Sequence, residues 1–561
     1  MTAPEDLNCP EELVFLPLGG AGEIGMNLNL YGYAGQWLMI DCGVSFGDDT
    51  MPGIDVIMPD PGFIVERRDR LAGIVLTHAH EDHLGAIQYL WPKLRSTVYA
   101  TPFTAAVLRA KLEETNLEGE VPIVEVPMSG KFTVGPFELE LITLTHSIPE
   151  PNAVVVRTPV GAVLHTGDWK LDPEPLVGPT ADEAALRSLG DAGVLAMICD
   201  STNALRPGNS GSEAKVRQSL TALVGQCRNR VAVACFATNV ARLASIAAAA
   251  AAHGRHTALV GRSLWRIERA ARETGYLEDV PPFLTDEEGA FLPRNKVVYI
   301  CTGSQGEPRS ALARIAEDEH PHVVLSEGDA VIFSSRIIPG NERAIGRLHN
   351  RLASLGVELL TEEDHFVHVS GHPAQEELVR MYQMVRPTVA VPVHGEARHL
   401  RQHVRIAEAC QVPQAILAFN GDMVRLGPLP AATVGQVATG RLALDGNQLL
   451  SIGGEAWKSR RRIAFNGAAV VTVVLGDQGE LLTGPRVSLQ GLGEPDAAFL
   501  AELGREVAAA LKRLGPRERR DDAVVSEAAR AAVRRAVKAW SGKRPATEVQ
   551  VMRVGRNGGE L

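Results

Sequence analysis

No pair of cysteines in this chain is spaced for metal or redox work. The seven (Cys9, Cys42, Cys199, Cys227, Cys235, Cys301 and Cys410) are odd in number, scattered and without a CxxC. Most lie in apolar runs, which excludes a disulfide scaffold and reads as small buried hydrophobes in a reducing cytosol, so a cytoplasmic protein is expected. A long hydrophobic run is missing too. The Ala-rich stretch Leu243–Ala252 is short and weakly hydrophobic, so it reads as a packed helix, and no membrane role is expected. Met1-Thr-Ala-Pro-Glu-Asp-Leu7 has neither the basic start nor the apolar core of a signal peptide. An excess of positive charge is lacking as well. The net charge is −11, from 56 Lys and Arg against 67 Asp and Glu, which argues against a surface coated for nucleic acid. Basic residues do gather locally: Arg242, Arg255, Arg262, Arg266, Arg269 and Arg272 along one helical region, Lys458–Arg462, and the C-terminal part. Solvated helix faces are the plain reading of each cluster. There is no internal repeat and no long low-complexity tract.

What is present is a chain of 561 residues, long enough for three or four domains. Within it lies His78-Ala-His80-Glu-Asp82-His83, four metal-capable side chains inside six residues. An apolar, β-branched run, Gly73–Thr77, precedes them and a helix-like segment, Leu84–Trp91, follows. A strand that ends in a His-rich loop before a helix fixes several ligands at one point of a rigid edge. Three imidazoles and a carboxylate suit zinc or manganese. A single histidine is ordinarily a satisfied core or surface residue; four such donors at one strand end are not explained that way.

Strand-like and helix-like segments alternate through the first two hundred residues. Strands are expected at Val14–Leu18, Trp37–Ile40, Gly73–Thr77, Thr97–Ala100, Phe137–Leu144, Ala153–Arg157, Ala162–His165 and Val194–Cys199. Several run into Asp41, His78, His146, Asp168 or Asp200, and such ends would line one rim of a sheet sandwich. From about 210 to 355 the pattern is βα, a parallel-sheet α/β domain, with strands at Val231–Phe236, Thr257–Val260, Lys296–Cys301 and Ala330–Phe333. His-bearing strand ends return at His368 and His394, so this block reads as an insertion into the first domain. The expected boundaries are 1–208 and 357–428 for the two parts of the first domain and 209–356 for the insertion. A Pro/Gly-interrupted linker, 429–462, then leads to a small α+β domain, 463–561, with helices at Asp496–Leu514 and Ser526–Trp540.

A two-metal site needs about six or seven donors including a bridge. His78, His80 and His146 are expected to hold one ion, and Asp82, His83 and His394 the other. Asp168, with two oxygens, is the natural bridge. Asp41, after a long apolar strand, is expected to accept a hydrogen bond from a ligand and orient it. Two ions about 3.5–4 Å apart can generate hydroxide near neutral pH and stabilise charge on a phosphoryl oxygen during in-line attack. The leaving oxygen then needs a proton, and His368 is the expected donor, since imidazole can give one at neutral pH.

Asp41, the His78–His83 motif, His146 and Asp168 resemble the four sequence motifs of the metallo-β-lactamase fold. Asp200, His368 and His394 are similar to the additional A, B and C motifs of the β-CASP nucleases. Longer strings resemble bacterial ribonuclease J: Gly19-Gly-Ala-Gly-Glu-Ile-Gly-Met-Asn27, Asp200-Ser-Thr-Asn203, Cys301-Thr-Gly-Ser-Gln-Gly-Glu-Pro308, Ser334-Ser-Arg-Ile-Ile-Pro-Gly-Asn-Glu342, His368-Val-Ser-Gly-His372 and Pro392-Val-His-Gly-Glu396. The resemblance covers nearly the whole chain. It implies an α/β fold: a metallo-β-lactamase αββα sandwich with an inserted parallel-sheet α/β (β-CASP) domain and a small C-terminal α+β domain. It implies two divalent ions per subunit, Zn2+ and/or Mn2+, with His368, Asp82 and Asp200 among the catalytic groups. The implied activity is processive 5′→3′ exoribonuclease action on single-stranded RNA with a 5′-monophosphate, plus endonucleolytic cleavage, in mRNA decay and rRNA maturation. Ser370-Gly371-His372 is implied to bind the terminal phosphate, with Thr238 and Asn239 contributing at a helix start. Thr238 stands where the family commonly has Ser. The C-terminal domain is implied to support a homodimer or homotetramer, and the protein to have partners in an RNA-decay complex. A small-molecule metallo-hydrolase would explain the His motif but not the insertion, His368 or Ser370–His372. A β-CASP DNA-repair nuclease would leave the ribonuclease J strings a coincidence. A non-catalytic scaffold or RNA-binding subunit would not need every ligand position filled.

Overall fold

Two mixed sheets built from residues before 201 and after 388 face each other, and the chain leaves and re-enters the second of them at neighbouring strands. In the computed structural model, which describes residues 11–47, 50–338 and 340–555, the first sheet has eight strands. Their order is Ala432–Gln436, Asp422–Gly427, Leu13–Gly19, Leu28–Tyr33, Gln36–Ile40, Leu71–Val75, Val98–Ala100 and Ile123–Glu125. The first five are antiparallel neighbours and the rest are parallel. Parallel neighbours need crossovers, which the helices Ile87–Leu94 and Pro102–Glu113 supply. Cys9, Met1–Leu7 and Pro339 lie outside the described residues.

The second sheet has seven strands, ordered Lys131–Val134, Phe137–Thr143, Asn152–Thr158, Gly161–His165, Ala196–Asp200, Val389–Val393 and Gln414–Ala415. Phe137, Leu139 and Leu141 alternate along one strand and point inward with Val154, Val156, Ile198 and Val391. They meet Phe15, Tyr31, Leu38 and Ile40 from the first sheet in one buried cluster. The other face of the second sheet, with Leu164, Met197 and Ala390, packs on Leu186, Leu189, Leu378 and Met381 of the helices Glu183–Ala192 and Gln375–Val385. Helices therefore cover the sandwich from outside.

Ala196–Asp200 lies parallel to Val389–Val393, with Asp200 opposite Val393. Between these neighbours the chain builds a six-stranded sheet, ordered Leu284–Thr285, His256–Val260, Val297–Cys301, Val231–Ala234, Ala330–Phe333 and Glu358–Leu360. Every pair in it is parallel. Its central strands, Val-Val-Tyr-Ile-Cys and Val-Ala-Val-Ala, are buried throughout, as strands covered on both faces must be.

The expected strand Gly73–Thr77 runs instead over Leu71–Val75, because Thr77 turns out of the ladder to bond the Asp41 carboxylate. Leu28–Tyr33 is a strand that the pattern of Asn29 and Gly32 hides; a Cβ at Gly32 would sit 2.8 Å from the Trp37 ring. The stretch 429–462 is not a bare connector: it carries the strands Ala432–Gln436, Arg441–Asp445 and Gln448–Ser451 and begins the helix Glu455–Asn466.

The residues through Phe46 and from Val56 to Arg441 form one compact unit; Gly47–Asp55 and the chain from Leu442 onward form another. In the second unit three strands, ordered Arg486–Gln490, Ala468–Gly476 and Ala546–Val554, carry the helices Ala497–Lys512 and Asp522–Ser541 on one face. Val471 and Val473 pack there on Leu503, Val507, Val525 and Val533. No helix among the described residues is long and apolar enough to cross a membrane.

Candidate metal centre

The His-rich loop is stitched by its own backbone to the neighbouring strand ends. Asp82 O accepts from Asn27 N at 2.9 Å, and Gly43 N donates to Asn27 O at 2.9 Å. Gly43 has no alternative, since a Cβ there would lie 1.7 Å from Asp82 O. His78, His80, His146 and Asp168 point at one spot, with one donor atom from each within 4.8 Å of the others. His80 Nδ1 stands 3.1 Å from His78 Nε2 and 3.0 Å from His146 Nε2. Asp82, His83, Asp168 and His394 form a second such group, and Asp168 is common to both. Its Oδ2 lies 3.1 Å from His83 Nε2, 3.6 Å from His394 Nε2 and 3.9 Å from His78 Nε2.

The donor set fits a metal centre on chemical grounds. His394 Nε2 is buried with no hydrogen-bond partner, and it faces Asp82 Oδ2 and Asp168 Oδ2, both at 3.6 Å. Such an orphaned nitrogen is costly unless something binds it. Burial, then crowding by other imidazoles, holds His78 and His146 well below the usual histidine range. Burial takes His80 down to about 4 against the pull of Asp82 and Asp168. These rings are neutral, as ligands must be. Burial opposes ionisation of Asp168, yet His394, His83 and His372 hold its carboxyl well below the ordinary value. Burial likewise opposes charge on His83, but Asp168, Asp41 and Asp82 prevail and raise it. An ion here would displace a proton from His83.

Four of these imidazoles have a fixed partner on the ring nitrogen that faces away from the cluster. Asp41 Oδ2 accepts from His83 Nδ1 at 2.7 Å, and Thr77 Oγ1 stands 2.9 Å from His78 Nδ1. Asn27 Oδ1 takes His394 Nδ1 at 2.9 Å, and Gly371 O takes His146 Nδ1. Each such bond sets a tautomer and aims the other nitrogen inward. Asp41 and His394 both have positive φ, 64° and 52°, a conformation that non-glycine residues keep where the surroundings enforce it.

Of the sequence-predicted residues beyond the ligands, Asp200 and His372 form a third donor group with Asp168 and His394. His372, expected at the phosphate, stands against the cluster: its Nδ1 is 2.8 Å from Asp200 Oδ2 and 3.7 Å from Asp168 Oδ2. Burial works against its charge, but Asp200 and then Asp168 raise it to about 9. His368, expected as the proton donor, is not among the clustered groups. Burial, and then Arg242, Arg336, Lys170 and Arg206, push it well below the usual range. Its Nδ1 is buried without a partner. Ser370 Oγ accepts from Asn203 Nδ2 at 2.7 Å and from His372 N at 3.2 Å. Asn239, expected to touch phosphate, instead caps the helix Val240–Ala252: its Oδ1 accepts from Arg242 N at 2.9 Å, and its amide nitrogen faces Glu213. Thr238 is partly exposed beside it.

Three contributors went unnoticed in the sequence. Asn27 orients His394, and Asn203 ties down the loop Ser370–His372; both lay inside the quoted strings, but a lone Asn carries no chemical signature. Arg242 is the third. Far from lining a solvated face, it is fully buried against Glu213 at 3.0 Å and donates to Ser334 O and Val367 O, beside His368.

The sandwich, the inserted parallel sheet and His/Asp donor sets that overlap at Asp168 define a metal-dependent hydrolase of the β-lactamase superfamily. Residues 36–193 match the β-lactamase superfamily domain, and 357–410 match the Zn-dependent metallo-hydrolase RNA specificity domain. Residues 228–352 match the ribonuclease J β-CASP domain, and 456–554 match the ribonuclease J C-terminal domain. The chain is 45% identical to ribonuclease J of Sinorhizobium meliloti, over 98% of this chain and 99% of that one. It is 39% identical to ribonuclease J of Mycolicibacterium smegmatis (96% of each) and 36% identical to that of Thermus thermophilus (91% and 90%). A crystal structure of a protein of unknown function from Enterococcus faecalis shares the fold at a TM-score of 0.52 and 17% identity, over 74% of this chain and all of that one. The chain belongs to the ribonuclease J family.

Proposed function

We propose that this member of the family is a metal-dependent 5′→3′ exoribonuclease that prefers RNA carrying a 5′-monophosphate, cuts internally as a second activity, and serves mRNA decay and rRNA maturation in the cytoplasm. The observation that carries the reading is the division of labour between two histidines four residues apart. His372 Nδ1 lies 2.8 Å from Asp200 Oδ2 and 3.7 Å from Asp168 Oδ2, which raise its basicity against burial; burial first, and then Arg242, Arg336, Lys170 and Arg206, lower that of His368. One is suited to hand a proton to a leaving oxygen, and the other feels Arg206 and Arg336, the two of these cations that are not buried and could meet a terminal phosphate.

His78, His80 and His146 would hold one divalent ion and Asp82, His83 and His394 the other, with Asp168 shared. Zinc and manganese both suit these donors. When bound, the pair supplies a nucleophile at neutral pH and neutralises charge on the phosphoryl group. Asp200 raises the basicity of His372 and aims its ring. Asn203 fixes the backbone that bears it, through Ser370 Oγ and His372 O at 2.7 and 3.0 Å.

The test pairs substrates with variants. With Mn2+, the protein should release mononucleotides from 5′-monophosphate RNA faster than from the same RNA with a 5′-triphosphate, and should spare matched DNA. His372→Gln should lower kcat on either RNA by about 10²–10⁴-fold. His368→Gln should mainly raise KM for the monophosphate RNA. Equal turnover of DNA, or an unchanged 5′ preference in His368→Gln, would overturn the reading.

A further inference from the structure

Metal-bound histidines are aimed by whatever accepts the proton on their other nitrogen. For His83, His78 and His394 that partner is Asp41, Thr77 or Asn27, all on strand ends or tight turns of the sandwich, and all 2% exposed or less. His146 differs. Its Nδ1 donates to the carbonyl of Gly371, 225 residues away, in the loop Ser370–His372 on the chain's return from the inserted sheet. That loop is not part of any strand or helix. It is pinned by Asn203, whose Nδ2 reaches Ser370 Oγ at 2.7 Å and His372 O at 3.0 Å, and by the His372–Asp200 pair. Gly371 allows the approach. A Cβ on it would lie 2.5 Å from His146 Cε1, 2.7 Å from Nδ1 and 2.9 Å from Ser147 Oγ.

We propose that the Gly371 carbonyl is the outer-sphere anchor of the His78/His80/His146 ion, so that binding of this ion and ordering of the loop Ser370–His372 are one equilibrium. The inference rests on the reading of His146 as a ligand. An ion on Nε2 requires the proton on Nδ1, and that proton needs an acceptor; the buried ring finds it in the loop. The coupling is reciprocal: an ion that orders the loop is bound more tightly when the loop is already in place. A ligand that seats the loop therefore tightens the ion, and an empty metal centre leaves His372 less well aimed. The second ion has its histidines aimed from within the sandwich and meets the loop only through His372, beside the shared Asp168 and His394, so it is coupled more weakly.

The experiment uses the full chain and Co2+ as a spectroscopic probe, titrated against a competing chelator. Gly371→Ala should weaken the first ion by about 10–100-fold, the usual cost of losing an outer-sphere partner, and weaken the second clearly less. Asn203→Ala keeps His146 and Gly371 but frees the loop, and should weaken the same ion several-fold. It carries the test if Gly371→Ala does not fold. Amide hydrogen exchange at 370–372 should slow on adding Zn2+ to the stripped wild type, and less so in Asn203→Ala. Unchanged affinity for the first ion in Asn203→Ala, or metal-independent exchange in the loop, would overturn the proposal. Neither readout contains RNA, so a failure of the proposed 5′ preference would leave it standing, and its own failure would leave that preference intact.

Discussion

Asp41→Asn is the substitution that most sharply separates an orienting role from a packing role. The carboxylate is fully buried. Oδ1 accepts from Thr77 N at 2.8 Å, and Oδ2 accepts from Thr77 Oγ1 at 2.9 Å and from His83 Nδ1 at 2.7 Å. Asparagine has the same shape and tolerates the φ of 64°, so neither a cavity nor backbone strain confuses the result. Its amide, however, has only one acceptor oxygen. With that oxygen on Thr77 N–H, the NH2 faces His83 Nδ1–H; flipped, the NH2 faces Thr77 N–H. Two donors then meet in a site closed to water, which costs about 1–3 kcal/mol. The escape is for His83 to carry its proton on Nε2, which removes it as a ligand. A loss of about 10–100-fold in affinity for the second ion, or about 1.4–2.8 kcal/mol, follows. Loss of the Asp41 charge also makes His83 less basic and eases proton competition, so the titration is run at several pH values and the difference is read where it no longer changes with pH. The assay is isothermal titration of the stripped protein with Zn2+ and with Mn2+. Asp41→Asn binding both ions within twofold of wild type would refute the tautomer argument.

Two further outcomes are expected. Arg242→Met strands the buried Glu213 carboxylate and should cost about 3–5 kcal/mol in urea unfolding, with part of it recovered by adding Glu213→Gln; no recovery in the double variant would mean that the ion pair is not the cause. His403 is buried between Ser201 Oγ at 2.8 Å and Tyr382 OH at 2.9 Å, and burial lowers it to about 4. Below about pH 6.5 the unfolded chain takes up a proton that the folded chain refuses until about pH 4, so its contribution is complete above 6.5 and declines between those values, by up to about 3 kcal/mol. Urea midpoints should fall across that window, and less steeply in His403→Gln; parallel slopes would contradict the assignment.

The buried strands were legible because apolar runs such as Leu13–Gly19 and Val297–Cys301 read as strand wherever they stand. Edges were less so, since Thr77 answers to Asp41 rather than to the ladder. The metal loop was legible because four of its donors are neighbours in sequence. His368 and His372 were not separable: both are histidines of one irregular loop, four residues apart, and no periodicity says which ring turns toward Asp200. Asn239 looked like a phosphate ligand at a helix start, but its side chain closes that start itself.

The sequence by itself therefore determined the donor chemistry, the strands that carry it and the family, because these are written in residue types and short spacings. Only the tertiary structure decided that His372 rather than His368 stands against Asp200 and Asp168, and that the His146 imidazole leans on Gly371. Each of those depends on burial and on charges brought together from distant parts of the chain, and a titratable group takes its character from that company.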